Sequence, residues 1–196
     1  MSKLIEQEYN VISKMIERGA TVLDLGCGPG DLLALLKEQK GVKGQGIEID
    51  QQAIYDCVGK GLSVFHGDID TGLPEFSDRA FDYVILSQSM QQVKKPDIVL
   101  TEALRVGKKV IVSFPNFAHL SARLQLGMFG RVPVNPSLPF EWYNTPNTHF
   151  LSFHDFSAYC RKRGIKIEKQ VFLNDRGRIR FLPNLLGMVG IFLISK

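Results

Sequence analysis

Cysteine, histidine and tryptophan are scarce in this sequence: three Cys, four His and one Trp among 196 residues. Cys27, Cys57 and Cys160 are odd in number and far apart, which excludes a disulfide framework and any Cys or His cluster with metal-ligand spacing. A chain of that kind is expected in a reducing cytoplasm. No apolar run approaches the roughly 20 residues a membrane helix needs, and Met1-Ser2-Lys3-Leu4-Ile5-Glu6 offers no signal-peptide core. Arginine-rich runs and aromatic platforms are lacking too. The net charge of +4 therefore permits an acidic partner without pointing to nucleic acid. No internal repeat or low-complexity tract appears. With 44% hydrophobic and 22% charged residues, the composition is that of one globular domain over 1–196.

The organising stretch is Val22-Leu23-Asp24-Leu25-Gly26-Cys27-Gly28-Pro29-Gly30-Asp31-Leu32. Apolar and β-branched residues run into a glycine-spaced turn, then Leu32, Leu33, Leu35 and Leu36 give helical spacing closed by Lys40-Gly41. Buried strand, tight loop and helix follow from that pattern. Free N–H groups at the helix start face the loop. Asp31 stands where a dinucleotide fingerprint has its third glycine, and Asp24 precedes the glycines at the strand end. A carboxylate there repels a pyrophosphate and attracts an ammonium and a sulfonium. S-adenosylmethionine meets that description; NAD does not. The alternative is a structural turn with no ligand.

Along the rest of the chain, Leu4, Ile5, Tyr9, Val11, Ile12, Met15 and Ile16 predict a leading helix against the sheet, with Gly19 as its C-terminal cap. Gly44 to Asp50 reads as a second strand whose Glu48, about 20 residues past the glycines, suits ribose hydroxyls. Ile49 offers adenine an apolar face, and Asp50 caps a helix over 51–58. Ser63 to Ile69 is a third strand and its exit. Phe81 to Leu86 is a fourth, ending in polar Ser87-Gln88 at the edge where open α/β sheets bind ligands. Pro96 opens a helix that Gly107 closes, and 109–114 is a fifth strand. Ser152 to Asp155 resembles a capping box, Ile165 to Leu173 alternates as a strand, Asn174 to Arg180 is a basic hairpin loop, and Met188 to Ile194 is the last strand. The expected fold is α/β: a seven-stranded, mostly parallel sheet with helices on both faces and a C-terminal antiparallel hairpin. Five of the nine prolines fall between 115 and 146, so 115–150 is expected as an irregular insertion over the site, with a short helix over 120–128.

Asp24-Leu25-Gly26-Cys27-Gly28-Pro29-Gly30 resembles the first motif of class I S-adenosylmethionine-dependent methyltransferases. The resemblance implies a Rossmann-like fold and binding of S-adenosylmethionine or S-adenosylhomocysteine by Asp24, Gly26, Cys27, Gly28, Gly30, Glu48, Ile49, Asp68, Ile69, Ser87 and Gln88. In that family the acid at the third strand's exit meets the adenine amino group and its neighbour's backbone meets the ring nitrogen. Asp68 and Ile69 match, although an Asp after Gly67 is equally a turn former. Many members carry a His where this chain has Gln91 and Gln92. Methyl transfer from a sulfonium needs alignment more than a base, so no catalytic signature is required and none is clear.

Over nearly its full length the chain also resembles the MetW family of methionine biosynthesis proteins. The carrying stretches are Phe81 to Gln88, Arg105 to Lys108, Ser113-Phe114-Pro115-Asn116-Phe117, and Phe140-Glu141-Trp142-Tyr143-Asn144-Thr145-Pro146-Asn147-Thr148-His149. That resemblance implies bacterial methionine synthesis alongside the homoserine O-acyltransferase MetX. Two readings follow. In one, a small acceptor is methylated beside Tyr143 and His149; in the other, the same pocket senses the ligand while the insertion or the basic hairpin loop docks the acyltransferase.

Overall fold

The computed structural model describes residues 2–196. Its order is α1 (Lys3–Ser13), β1 (Thr21–Leu25), α2 (Asp31–Lys40), β2 (Lys43–Glu48), α3 (Gln51–Gly59), β3 (Ser63–His66), β4 (Phe81–Ser87), α4 (Pro96–Val106), β5 (Gly107–Pro115), α5 (Leu120–Phe129), α6 (Phe153–Arg163), β6 (Lys166–Asn174), β7 (Gly177–Ile179), α7 (Pro183–Leu186) and β8 (Val189–Ser195). The strands form one sheet in the order β3-β2-β1-β4-β5-β8-β6-β7. The first five are mutually parallel; β8 runs antiparallel between β5 and β6.

The sheet thus has eight strands, not seven. The additional one, β7, comes from the segment expected as a hairpin loop: Gly177, Arg178 and Ile179 pair with Asn174, Leu173 and Phe172. Three residues are too few to show alternation in the sequence. The leading helix also ends early. It is capped by Lys14, and Gly19 instead sits in the following turn, donating its N–H to the Lys40 carbonyl at 2.9 Å.

Period-two alternation divides the sheet cleanly. Leu23, Leu25, Val84, Leu86, Val110, Val112 and Phe114 face α4 and α6, and Phe153 and Phe156 of α6 pack on Phe114 together with Phe192 of β8. Val22, Tyr83, Ile85 and Ile111 face α1 and α2, against Ile12, Leu32, Leu33 and Leu36. The same alternation brings Asp24, Ser87 and Ser113 to the α1 side, at the carboxyl ends of three adjacent strands. Local signals hold elsewhere. Asp50 caps α3 by accepting from Ala53 N at 2.8 Å, Ser152 and Asp155 form the capping box of α6, and Gly41 and Gly164 close α2 and α6 with positive φ.

Candidate functional site

The carboxyl edge of β1, β2 and β4 opens on a cavity of about 490 Å³. Asp24, Gly26, Cys27, Gly28, Glu48, Ile49, Asp68, Ile69, Ser87 and Gln88 all border it. Eleven residues were expected at a ligand, and these ten meet around one space; Gly30 does not. A Cβ on Gly30 would sit 2.5 Å from Leu62 Cδ1 and 2.8 Å from Cys57 Sγ, and its φ is +78°. This glycine lets the loop turn into α2 while pressed against α3.

Glu48 organises the loop. Its Oε2 accepts from Gly28 N at 2.7 Å, and its Oε1 accepts from Ile49 N at 2.8 Å and Asp50 N at 2.9 Å. A carboxylate has about four acceptor sites, so roughly one stays free toward the cavity. Gly26 N and Cys27 N both donate to the Ile47 carbonyl, at 2.8 and 3.2 Å, which fixes the turn over the end of β2. Behind the loop, Cys57 Sγ donates to the Gly28 carbonyl at 3.2 Å.

Asp24 differs from every other acid here. It is 2% exposed, and its Oδ1 has no hydrogen-bond partner among the described residues. Burial, with the Glu48 charge adding to it, pushes its carboxyl up to about 7. Buried carboxylates are normally paired or hydrogen-bonded. This one faces the cavity unpaired. Asp24, Glu48, Asp68 and Asp70 border the space against a single amine, Lys94, so its field favours a cation.

Asp68 performs the turn role weighed for it, as its Oδ1 accepts from Asp70 N at 2.9 Å, and it borders the cavity as well. Asp70 in turn accepts from Lys94 N and Lys95 N, at 2.9 and 2.8 Å, holding the turn after β4 beside the opening. Ile49 is 60% exposed, an apolar face without protein covering it.

Tyr143 and His149 are not brought to this cavity. Thr148 N, His149 N and Thr148 Oγ1 all donate to the Gln91 carbonyl, at 2.9, 3.1 and 3.3 Å. They clamp that segment to the outer side of the turn after β4. His149 borders a separate, smaller pocket with Met90, Phe156 and Tyr159, and Tyr143 stands 70% exposed. No residue from 115 to 150 borders the cavity at the carboxyl edge of β1, β2 and β4. His119 caps α5 through Nδ1, which accepts from Ser121 N at 3.2 Å.

Several positions at or beneath the cavity escaped the sequence reading. Tyr9, Ser89, Gln92 and Lys94 border the cavity, and Ser89 Oγ is buried without a partner. Beneath them Glu8, 1% exposed, accepts from Ser87 Oγ at 3.0 Å, from Gln88 Nε2 at 2.9 Å and from Ser113 Oγ. Burial raises its pKa. It holds Gln88, whose φ is +56°, in the left-handed region that a non-glycine residue seldom occupies. A signal was present: Leu4, Glu8 and Ile12 are spaced four apart, placing the acid on the apolar stripe.

Comparison with known proteins places this geometry. A family profile described as "Methionine biosynthesis protein MetW" matches residues 6–194. The chain is 37% identical over 177 residues to the bifunctional methionine biosynthesis protein MetXA/MetW of Rhodopirellula baltica, covering 85% of this chain and 28% of that protein. It is 32% identical over 185 residues to the ubiquinone/menaquinone biosynthesis C-methyltransferase UbiE of Xylella fastidiosa, covering 90% of this chain and 62% of that one. The chain thus spans under two thirds of either relative. Among solved structures, a possible histamine N-methyltransferase from Thermotoga maritima superposes with a TM-score of 0.70 at 18% identity, over 97% of this chain and 88% of that one. An S-adenosylmethionine-dependent methyltransferase from Mesorhizobium loti gives 0.71 at 14%, over 97% and 98%. At such identities the likeness establishes the fold.

Proposed function

The chain belongs to the MetW family of methionine biosynthesis proteins, built on the class I methyltransferase fold, and from that premise we propose that it binds S-adenosylmethionine or its demethylated product in the cleft described and acts with a homoserine O-acyltransferase. One observation carries the ligand: Asp24, a buried carboxylate whose Oδ1 lacks a partner at the end of a cavity rich in acids. An α-ammonium is the group that would complete it. The free acceptor site of Glu48 suits a ribose hydroxyl, Ile49 suits one face of adenine, and Asp68 and Ile69 suit its edge. Gly26, Cys27 and Gly28 leave backbone at the ligand's middle, and Ser87 and Gln88 close the amino-acid end.

When bound, S-adenosylmethionine supplies a methyl group already activated on sulfur. The protein's share is to orient and to exclude water. Asp24 fixes the ammonium, and Tyr9 stays a protonated donor because burial and the Asp24 charge hold its hydroxyl above the usual range.

Partnership rests on the bifunctional relative, in which a MetXA portion and a MetW portion share one chain. Two activities fit the cleft. The first is methyl transfer to a small acceptor; Tyr9, Ser89 and Gln92 favour it, since they border the cavity beyond the residues assigned to the cofactor. The second is sensing without transfer; no histidine borders the cavity among the described residues, and Tyr143 and His149 lie outside it. Incubation with methyl-labelled donor and cell extract separates them. A labelled product establishes transfer; measurable donor affinity with no product leaves sensing. Calorimetry that finds no affinity for either ligand, or a preference for NAD, would overturn the ligand assignment.

A further inference from the structure

Helix α5 is packed the wrong way round for a helix facing water. Of its ten residues only Ala122 is buried, while Leu124, Leu126, Met128 and Phe129 lie exposed, the last two at 71% and 68%. Such a helix ordinarily turns its apolar stripe toward a core. The exposure continues past the helix. Gln125 ties the next segment to it, its amide donating to the Val134 carbonyl at 3.1 Å and accepting from Val134 N at 2.9 Å. Trp142 and Tyr143, 71% and 70% exposed, then meet edge to face with ring centres 5.7 Å apart. Trp142 borders a small pocket with Val132, Pro133 and Phe140, the stretch that Gln125 ties to α5. Exposed apolar surface gathered in this way marks an interaction site.

Composition narrows the kind of partner. Between 116 and 150 the only charged residues are Arg123, Arg131 and Glu141, and no lysine occurs between Lys109 and Lys162. Aromatic, Met and Arg enrichment with Lys, Asp and Glu depletion characterises the centre of protein interfaces. A membrane-surface helix would instead carry a lysine-rich polar face. The bifunctional relative identifies the occupant, because 28% of its length matches this chain and the remainder holds a MetXA portion. A surface that two portions of one chain bury between them is left bare when they are separate proteins.

We infer that α5 and the Trp142-Tyr143 segment form the docking face for a MetX-type homoserine O-acyltransferase. The inference rests on the partnership proposed above and adds to it the place of contact. The test uses affinity capture of a purified MetX-type acyltransferase by the tagged full chain, by M128E/F129E, and by Y55E on α3, whose exposed tyrosine lies outside the face. All substituted side chains are solvent-exposed, and matching circular dichroism and unfolding midpoints establish that the variants fold. Capture by the unmodified chain and by Y55E, with at least tenfold weaker capture by the double variant, supports the docking face. Equal capture by all three overturns it while leaving the partnership intact. No capture by the unmodified chain overturns the partnership itself. Two further outcomes also overturn the inference: a dimer of this chain alone that M128E/F129E dissolves in sedimentation, and flotation on phosphatidylglycerol vesicles that the same variant abolishes.

Discussion

Replacing Asp24 with Asn should move stability and affinity in opposite directions. In the unliganded protein the carboxyl titrates at about 7, held up by burial and by Glu48, whereas in the unfolded chain it titrates near 3.9. Because the folded value is the higher one, the folded state holds the extra proton between about pH 4 and 7, and stability falls as pH rises through that window. Above pH 7 the full cost of keeping Asp24 ionised is about 4 kcal/mol, from about 3 pH units at about 1.4 kcal/mol each. An Asn cannot ionise, but its buried amide gives back roughly 1–3 kcal/mol as unsatisfied polar atoms. Asp24→Asn should therefore stabilise the unliganded protein by about 1–3 kcal/mol at pH 8, several degrees in melting temperature, and destabilise it by about 1–3 kcal/mol at pH 4, where only the amide penalty remains. Affinity for S-adenosylmethionine should drop by about 1–3 kcal/mol through loss of the charged partner. In the wild type that affinity should rise about tenfold per pH unit between 5 and 7, as Asp24 ionises, and in the variant it should be flat. Thermal melts and calorimetry at several pH values read both effects. A variant less stable than wild type at pH 8, with a parallel pH profile for binding, would refute the assignment of Asp24 as the waiting anion.

Three further outcomes follow from the same geometry. Glu48→Ala should weaken ligand binding by about 1–3 kcal/mol in calorimetry and lower the urea midpoint as well, since three backbone N–H groups lose their acceptor. Glu8→Ala should cost about 1–3 kcal/mol in chemical denaturation, because buried Ser113 and half-buried Ser87 and Gln88 all lose their acceptor; a change under about 0.5 kcal/mol would show the network to be slack. Gly30→Ala should destabilise by more than about 1 kcal/mol, from its positive φ and the contacts with Leu62 and Cys57, while any residual folded protein keeps its ligand affinity.

Much of this architecture was legible because it is written locally. Asp50, the Ser152 to Asp155 box, Pro96 and the closing glycines each act within a few residues. The glycine loop and its acids were legible because chemistry constrains what may stand at a strand end. Strand β7 was hidden because its pairing depends on β6 being there, not on its own three residues. Tyr143 and His149 misled because nothing in the sequence says on which side of the turn after β4 the segment is fastened, and three bonds to one carbonyl decide it. Glu8 drew no reading of its own, although it lies in register with Leu4 and Ile12.

The Glu8 anchor also sets an order of assembly. Its partners lie 79, 80 and 105 residues downstream, so a chain growing from its amino end carries α1 with a solvated acid until β4 and β5 have been made. Contacts of such separation form late and slowly, after the loop between them has been closed. The wall that α1 contributes, Tyr9 included, should thus be the last piece to dock, and a nascent or partly refolded chain would have its first strand in place before it had a cleft.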